Sequence, residues 1–212
     1  MNQISTVTTM TLDGGVSCLD FVNSGYDREK DVVAERLHTY DDLLILSARL
    51  ELFDGRTVAR LKAAAKNEPD TAEKALQSAK EIREMLYQLL IGHGRNISSK
   101  SDLEILDQAN HLFIQALQFR VLRRDNGGIK FVLRLENAGL YAPVWKLVLS
   151  AYDLLNSGSL HLIKQCGRCA WLFLDQTKSH RKKWCSMESC GNSQKTKRYY
   201  LKKKNEQRTP NA

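Results

Sequence analysis

The sequence predicts an α+β fold: a mainly helical N-terminal domain with one β-hairpin (residues 1–160), followed by a small treble-clef-like finger (residues 161–212). Three observations predict it. Apolar residues recur at helical spacing from Thr39 to Ala116 and again from Ala142 to Asn156. Apolar and basic residues alternate on either side of "DNGG". Four of the five cysteines fall between residues 166 and 190. A chain of 212 residues, 42% of them apolar, is long enough to bury a core and to carry a small appendage.

Taken in order, "LDGGVSCLDFVNSGYDR" places a turn at Gly14 and Gly15 and then an apolar run that contains Asp20 and Asn23. A carboxyl and an amide in a buried setting must be hydrogen-bonded. Either they cap the next turn, or they face a small-molecule pocket beside the hairpin, with Arg120 and Arg134 as further candidates. Cys18 reads as a small buried hydrophobe. "TYDDLLILSARLEL" opens on Thr39 with Asp42 three residues later, a helix start, and ends at Asp54-Gly55. "RTVARLKAAAKN" makes a second helix, closed before Pro69. From Asp70 the set Ala72, Ala75, Leu76, Ala79, Ile82, Leu86, Leu89 and Leu90 keeps helical spacing until "GHGRN". Ser101 with Glu104 is a capping-box pattern, and the following helix should bury Ile105, Ala109, Leu112 and Ala116. Phe119, Val121, Ile129, Phe131 and Leu133 then alternate with Arg120, Arg123, Lys130 and Arg134, a hairpin with one polar face. "APVWKLVLSAYDLLNSG" is a last body helix, with Pro143 in its first turn and Gly158 beyond its end. No long linker follows, so the finger should abut the body at Trp145 or Leu160.

No stretch approaches the roughly 20 apolar residues of a membrane span, and the opening residues lack a secretory pattern, so the expected location is the cytoplasm, with no membrane partner. Thiols there stay reduced, which turns attention from disulfides to metal or redox chemistry. Cys166 and Cys169 form a Cys-x2-Cys pair, fifteen residues follow, and Cys185 and Cys190 form a Cys-x4-Cys pair. A lone Cys-x2-Cys suits redox motifs too, but two close pairs resemble the arms of a zinc site. Four thiolates complete a tetrahedral shell, so the Zn2+ would be structural. Between the arms, "AWLFLD" reads as a strand with Trp171 and Phe173 on one face and Leu172 and Leu174 on the other. "QTKSHRKK" reads as a turn with a solvated His180, "WC" as the start of the return, and "GNSQKTKRYYLKKKN" as a helix. So small a unit has little core, so metal binding should supply much of its folding free energy.

The net charge of +8 is uneven: residues 161–212 hold 13 Lys or Arg and 3 Asp or Glu, a net +10, which leaves −2 for the body. A basic appendage on a near-neutral body is the footprint of nucleic-acid binding. Arg181, Lys182 and Lys183 in the turn, and Lys195, Lys197 and Arg198 on the helix, are the candidate phosphate contacts. Asn192, Ser193, Gln194 and Thr196 are able to hydrogen-bond base edges, or equally to cap the helix. Tyr199 and Tyr200 suit base stacking, although one of them is expected to pack beside Trp171 or Trp184. Lys202, Lys203, Lys204 and Arg208 read equally well as a solubilising tail.

"GGVSCLDFVNS" resembles the N-terminal signature of bacterial ABATE-domain proteins, and "CGRCAWLFLDQTKSHRKKWCSMESCGN" resembles the CGNR zinc finger that follows that domain. The resemblance implies a DNA-binding transcription regulator linked to stress, with zinc on Cys166, Cys169, Cys185 and Cys190. At one position the pattern breaks: Ser193 stands where the family has arginine. The expected function is a non-enzymatic, zinc-dependent DNA-binding regulator whose body senses a small-molecule effector, forms a homodimer, or does both. The alternative is an RNA- or protein-interaction module on a helical scaffold. An enzyme would have to draw on Asp20, His38, His93, His111 or His161, and no metal-ligand helix motif, nucleophile elbow or phosphate-binding loop unites them.

Overall fold

Helix starts are set by short polar side chains that satisfy the first backbone N–H groups, and the computed structural model, which describes residues 5–26, 34–92, 99–125 and 127–206, shows them at three helices. Thr39 and Asp42 form a reciprocal capping box at the start of α2 (Tyr40–Arg49). Asp54 accepts from the Thr57 N–H at 2.7 Å to open α3 (Gly55–Asn67). Pro69, whose missing N–H no helix start needs, opens α4 (Pro69–Ile91). The segment "VSCLDFVN" is itself helical, α1 (Ser17–Asn23), preceding these. α5 (Lys100–Leu117) corrects the sequence reading: its box is Ser99 with Asp102, not Ser101 with Glu104. Both pairs have the right spacing, but Ser99 has the extended backbone of a cap (φ −105°, ψ 154°) and Ser101 already lies inside the first turn. Most of "GHGRN" falls outside the described residues.

α6 (Ala142–Asn156) packs on α1, α2, α4 and α5, and the core between them includes Leu19, Leu43, Leu76, Leu86, Val144 and Leu147, all fully buried. Each such side chain contributes about 1.5–3 kcal/mol by leaving water. The stripes expected on α4 and α5 are buried, with Ile82, Leu89 and Ile105 only partly so.

β1 (Arg120–Asp125) and β2 (Gly128–Leu133) pair antiparallel, Leu122 opposite Phe131. The hairpin was expected to have one polar face. It has no buried face at all: Leu122, Ile129 and Phe131 are 62%, 67% and 63% exposed.

In the finger, β3 (Ile163–Gln165) pairs antiparallel with β4 (Leu172–Leu174), Lys164 opposite Phe173. The expected partner of β4 was the return at "WC". The chain before Cys166 takes that place instead, because the Cys-x2-Cys knuckle is itself the turn, closed by the Cys166 N–H donating to the Trp171 carbonyl at 2.9 Å. The return is joined through the Gly167 N–H and the Lys183 carbonyl, also 2.9 Å apart. A π-helical turn (Met187–Gly191) then leads into α7 (Asn192–Glu206). Trp171 and Phe173 face a small finger core while Leu172 and Leu174 face the body, as the alternation predicts.

That second face seats the finger on α1. Asn23, fully buried, donates from Nδ2 to the Leu172 carbonyl at 2.9 Å and accepts the Leu172 N–H on Oδ1 at 2.8 Å. The Leu174 N–H donates to the Gly14 carbonyl, Trp171 Nε1 to the Tyr26 carbonyl, and the Tyr87 hydroxyl to the Ala170 carbonyl. Met10 completes the finger core. Trp145 instead packs on Phe119, ring centroids 5.6 Å apart, and Leu160 joins the body core.

Candidate metal centre

The knuckle brings Cys166 and Cys169 together, the return adds Cys185, and the π-helical turn adds Cys190. All four Sγ atoms lie within 4.8 Å of one another. Three of the separations are 3.8 Å (Cys169–Cys185), 3.7 Å (Cys185–Cys190) and 3.8 Å (Cys190–Cys169). Sulfurs about 2.3 Å from a central zinc in a tetrahedron stand about 3.8 Å apart, whereas a disulfide needs about 2.05 Å. The spacing fits zinc and excludes disulfide bonding. All four side chains are at most 1% exposed. A four-sulfur shell leaves no position for a substrate, which makes the site structural. When the sulfurs have only protons to share, hydrogen bonds from Cys169, Cys185 and Cys190 push the Cys166 thiol far down, and bonds to the same cluster push Cys185 far up. A divalent cation relieves that competition by holding the sulfurs as thiolates. A Cβ on Gly167 would lie 2.6 Å from the Trp184 ring, so only glycine lets the knuckle approach its wall so closely.

Asp175, which the sequence reading passed over, fastens the basic loop. Its side chain is fully buried and accepts from Lys164 Nζ at 2.6 Å, the Thr177 hydroxyl at 2.6 Å, the Thr177 N–H at 3.1 Å and the Lys182 N–H at 2.9 Å. Burial works against its charge, but those donors prevail and hold the carboxyl well below the usual carboxylate range. Its signal was present: it is the one acid between Cys169 and Cys185, and D-x-T is a turn-forming pattern.

The loop so fixed presents Arg181 and Lys183 to solvent, with Lys182 half-buried and its Nζ 5.2 Å over the Phe173 ring. These three, with Lys164, Gln165, Gly167 and Trp184, line an open groove of about 640 Å³. His180 is exposed, with its ring nitrogen 3.1 Å from the Asp175 carbonyl. On α7, Asn192 and Lys195 are exposed and Ser193 is half-buried. The side chains of Lys197 and Arg198, like those of Lys202 and Lys204, lie outside the described residues, as does Arg208. Tyr199 and Tyr200 are 64% and 65% exposed, and neither packs beside Trp171 or Trp184.

The four pocket candidates are not brought together. Asn23 spends both amide atoms on Leu172. Asp20 accepts the Gly14 N–H at 2.8 Å, and burial pushes its carboxyl up to about 7. Arg120 does line a cavity of about 450 Å³, in which it is ion-paired to Asp153, with Lys146 and Leu149 on one wall and Leu174 and Gln176 of the finger on another. Arg134 is exposed on the chain leaving β2.

A mainly helical body with a docked four-cysteine finger defines this as a zinc-finger protein. The family described as "ABATE: Putative stress-induced transcription regulator" matches residues 15–158, and the CGNR zinc finger matches residues 163–203. The chain belongs to the ABATE family. A search of curated proteins found no match. Among the described residues, no helix is long and apolar enough to cross a membrane.

Proposed function

We propose that the protein is a zinc-dependent, non-enzymatic transcription regulator whose finger binds DNA. One observation carries this reading: the metal site and Asp175 together hold Arg181, Lys182 and Lys183 around a single groove. Cations on a fixed loop lose less freedom on meeting phosphates than cations on a tail. α7 adds Lys195 and, at its start, Asn192 and Ser193. With about five phosphates neutralised, the log of affinity falls against the log of salt concentration with a slope of about −4.5. Replacing Arg181, Lys182 and Lys183 with glutamine should make that slope shallower by about 2.7. Affinity insensitive to salt would overturn the proposal.

The body's part in this reading is to sense a small molecule, and the Arg120-lined cavity supports it because the finger forms one of its walls. A second reading, RNA binding, draws on Trp184, whose ring borders the same basic groove in the way that suits stacking on an unpaired base. Competition between structured RNA and duplex DNA separates the two.

A further inference from the structure

The β1–β2 hairpin is the part of the molecule that neither the core nor the metal centre accounts for. Its strands pair only with each other among the described residues, and a lone two-stranded ribbon is marginal in water. Strand alternation and the register put Leu122, Phe131 and Ile129 on one face together with Arg124. Val121, Val132, Arg123 and Lys130 share the other face. A ribbon held for packing alone would turn its apolar face to the core, yet here that face is more than 60% exposed at Leu122, Ile129 and Phe131, and 38% at Leu133 by the root.

Charge identifies what covers it. Residues 119–134 contain five Lys or Arg and one Asp, a net +4. The finger carries +10, so the rest of the chain carries −6 of the total +8. Positive charge is thus gathered in two places, and they adjoin: Arg120 and Leu133 at the root of the hairpin share a cavity with Leu174 and Gln176, the residues flanking Asp175, which holds Lys182. A second copy laid ribbon to ribbon would set like charge against like charge, since each ribbon stays positive even with Arg120 paired to Asp153. A polyanion matches both patches at once.

We infer that the hairpin is a second DNA-contacting element, a ribbon whose Arg124, on the same face as Leu122, Ile129 and Phe131, meets the duplex backbone while those three lie against a groove. The major groove of B-DNA admits a two-stranded ribbon, and apolar side chains there meet thymine methyl groups. This inference rests on the reading of the protein as a DNA binder, and it assigns a contact to residues outside the finger.

The test uses the zinc-loaded full chain and labelled random-sequence duplex, with anisotropy followed across salt concentrations. The charge variant R124Q alters only an exposed side chain on the groove-facing side, and its zinc content and thermal midpoint serve as the fold control. The expected result is a salt slope shallower by about 0.9, with weaker binding at unchanged slope for L122S/I129S/F131S. If the hairpin variants bind like the wild type while the Arg181–Lys183 variant does not, the hairpin inference falls and the finger reading stands. The reverse pattern keeps the hairpin and removes the finger. A wild type that ignores duplex overturns both. Sedimentation showing a dimer that the serine variant dissolves, or phosphatidylserine vesicles that it no longer binds, with duplex affinity unchanged in either case, also overturns the inference.

Discussion

Asn23 shows how much one side chain can join. Its amide does what a neighbouring strand would do, giving a donor and an acceptor to the two backbone groups of Leu172, inside a buried seam. Asn23→Ala leaves a buried N–H and a buried carbonyl unpaired, a loss of about 2–4 kcal/mol, read as a lower urea midpoint. Asp20, three residues earlier, gives a pH signature. Burial raises its carboxyl from 3.8 to about 7, so the folded state binds the proton more tightly than the unfolded one. Stability from this group is therefore greatest below pH 3.8, declines as pH rises, and levels off above about 7. The full penalty is at most about 4 kcal/mol. Asp20→Asn keeps an acceptor for the Gly14 N–H without the titration, so it should match the wild type at pH 4 and exceed it at pH 8. Equal midpoints at pH 8 would contradict the assignment. Neither role was legible in the sequence beyond the rule that buried polar groups need partners. The partner of Asn23 lies 149 residues away, and no local pattern records it. The four cysteines were legible because ligand spacing is a local property.

At the scale of elements, the helices were readable where periodicity and caps agreed, as at Thr39 and Pro69. The start of α5 was misread because two Ser-x-x-acid pairs overlap there, and spacing alone cannot choose between them. The structure makes a sharp distinction: Ser99→Ala should destabilise by about 1 kcal/mol, whereas Ser101→Ala should stay within about 0.5 kcal/mol. Comparable losses in a denaturant series would restore the original reading. The strand at "AWLFLD" was correct but its partner was not. Alternation gives a strand's faces, and says nothing of which edge another strand will join. The hairpin taught the converse, since its alternation was real while the core that such a pattern usually implies was absent.

For the whole molecule, the seam decides whether the finger is a passenger or a keystone. Leu172 and Leu174 belong to the body's core, Trp171 and Ala170 give backbone or ring partners to Tyr26 and Tyr87, and Met10 from the N-terminal segment fills the finger's own core. The finger's shape depends on the four sulfurs being drawn together, and structural zinc sites contribute about 10–16 kcal/mol in small peptides at neutral pH. Removing zinc should then do more than unfold residues 163–206. It should expose the α1 face that carries Asn23, leave Gly14 and Tyr26 without their partners, and open the Arg120-lined cavity, one wall of which is finger. The expected outcome is that a chelator lowers the melting temperature of the body in one cooperative transition and speeds hydrogen exchange at the Leu172 and Leu174 amides and along α1. An α4 and α6 core that melts at the same temperature with or without metal, and α1 amides that stay protected, would show that the finger is only attached. That result would also remove the route by which, in the function proposed above, a molecule in the cavity would act on the basic loop, because the Leu174–Gly14 bond and Asp175 are the links between them.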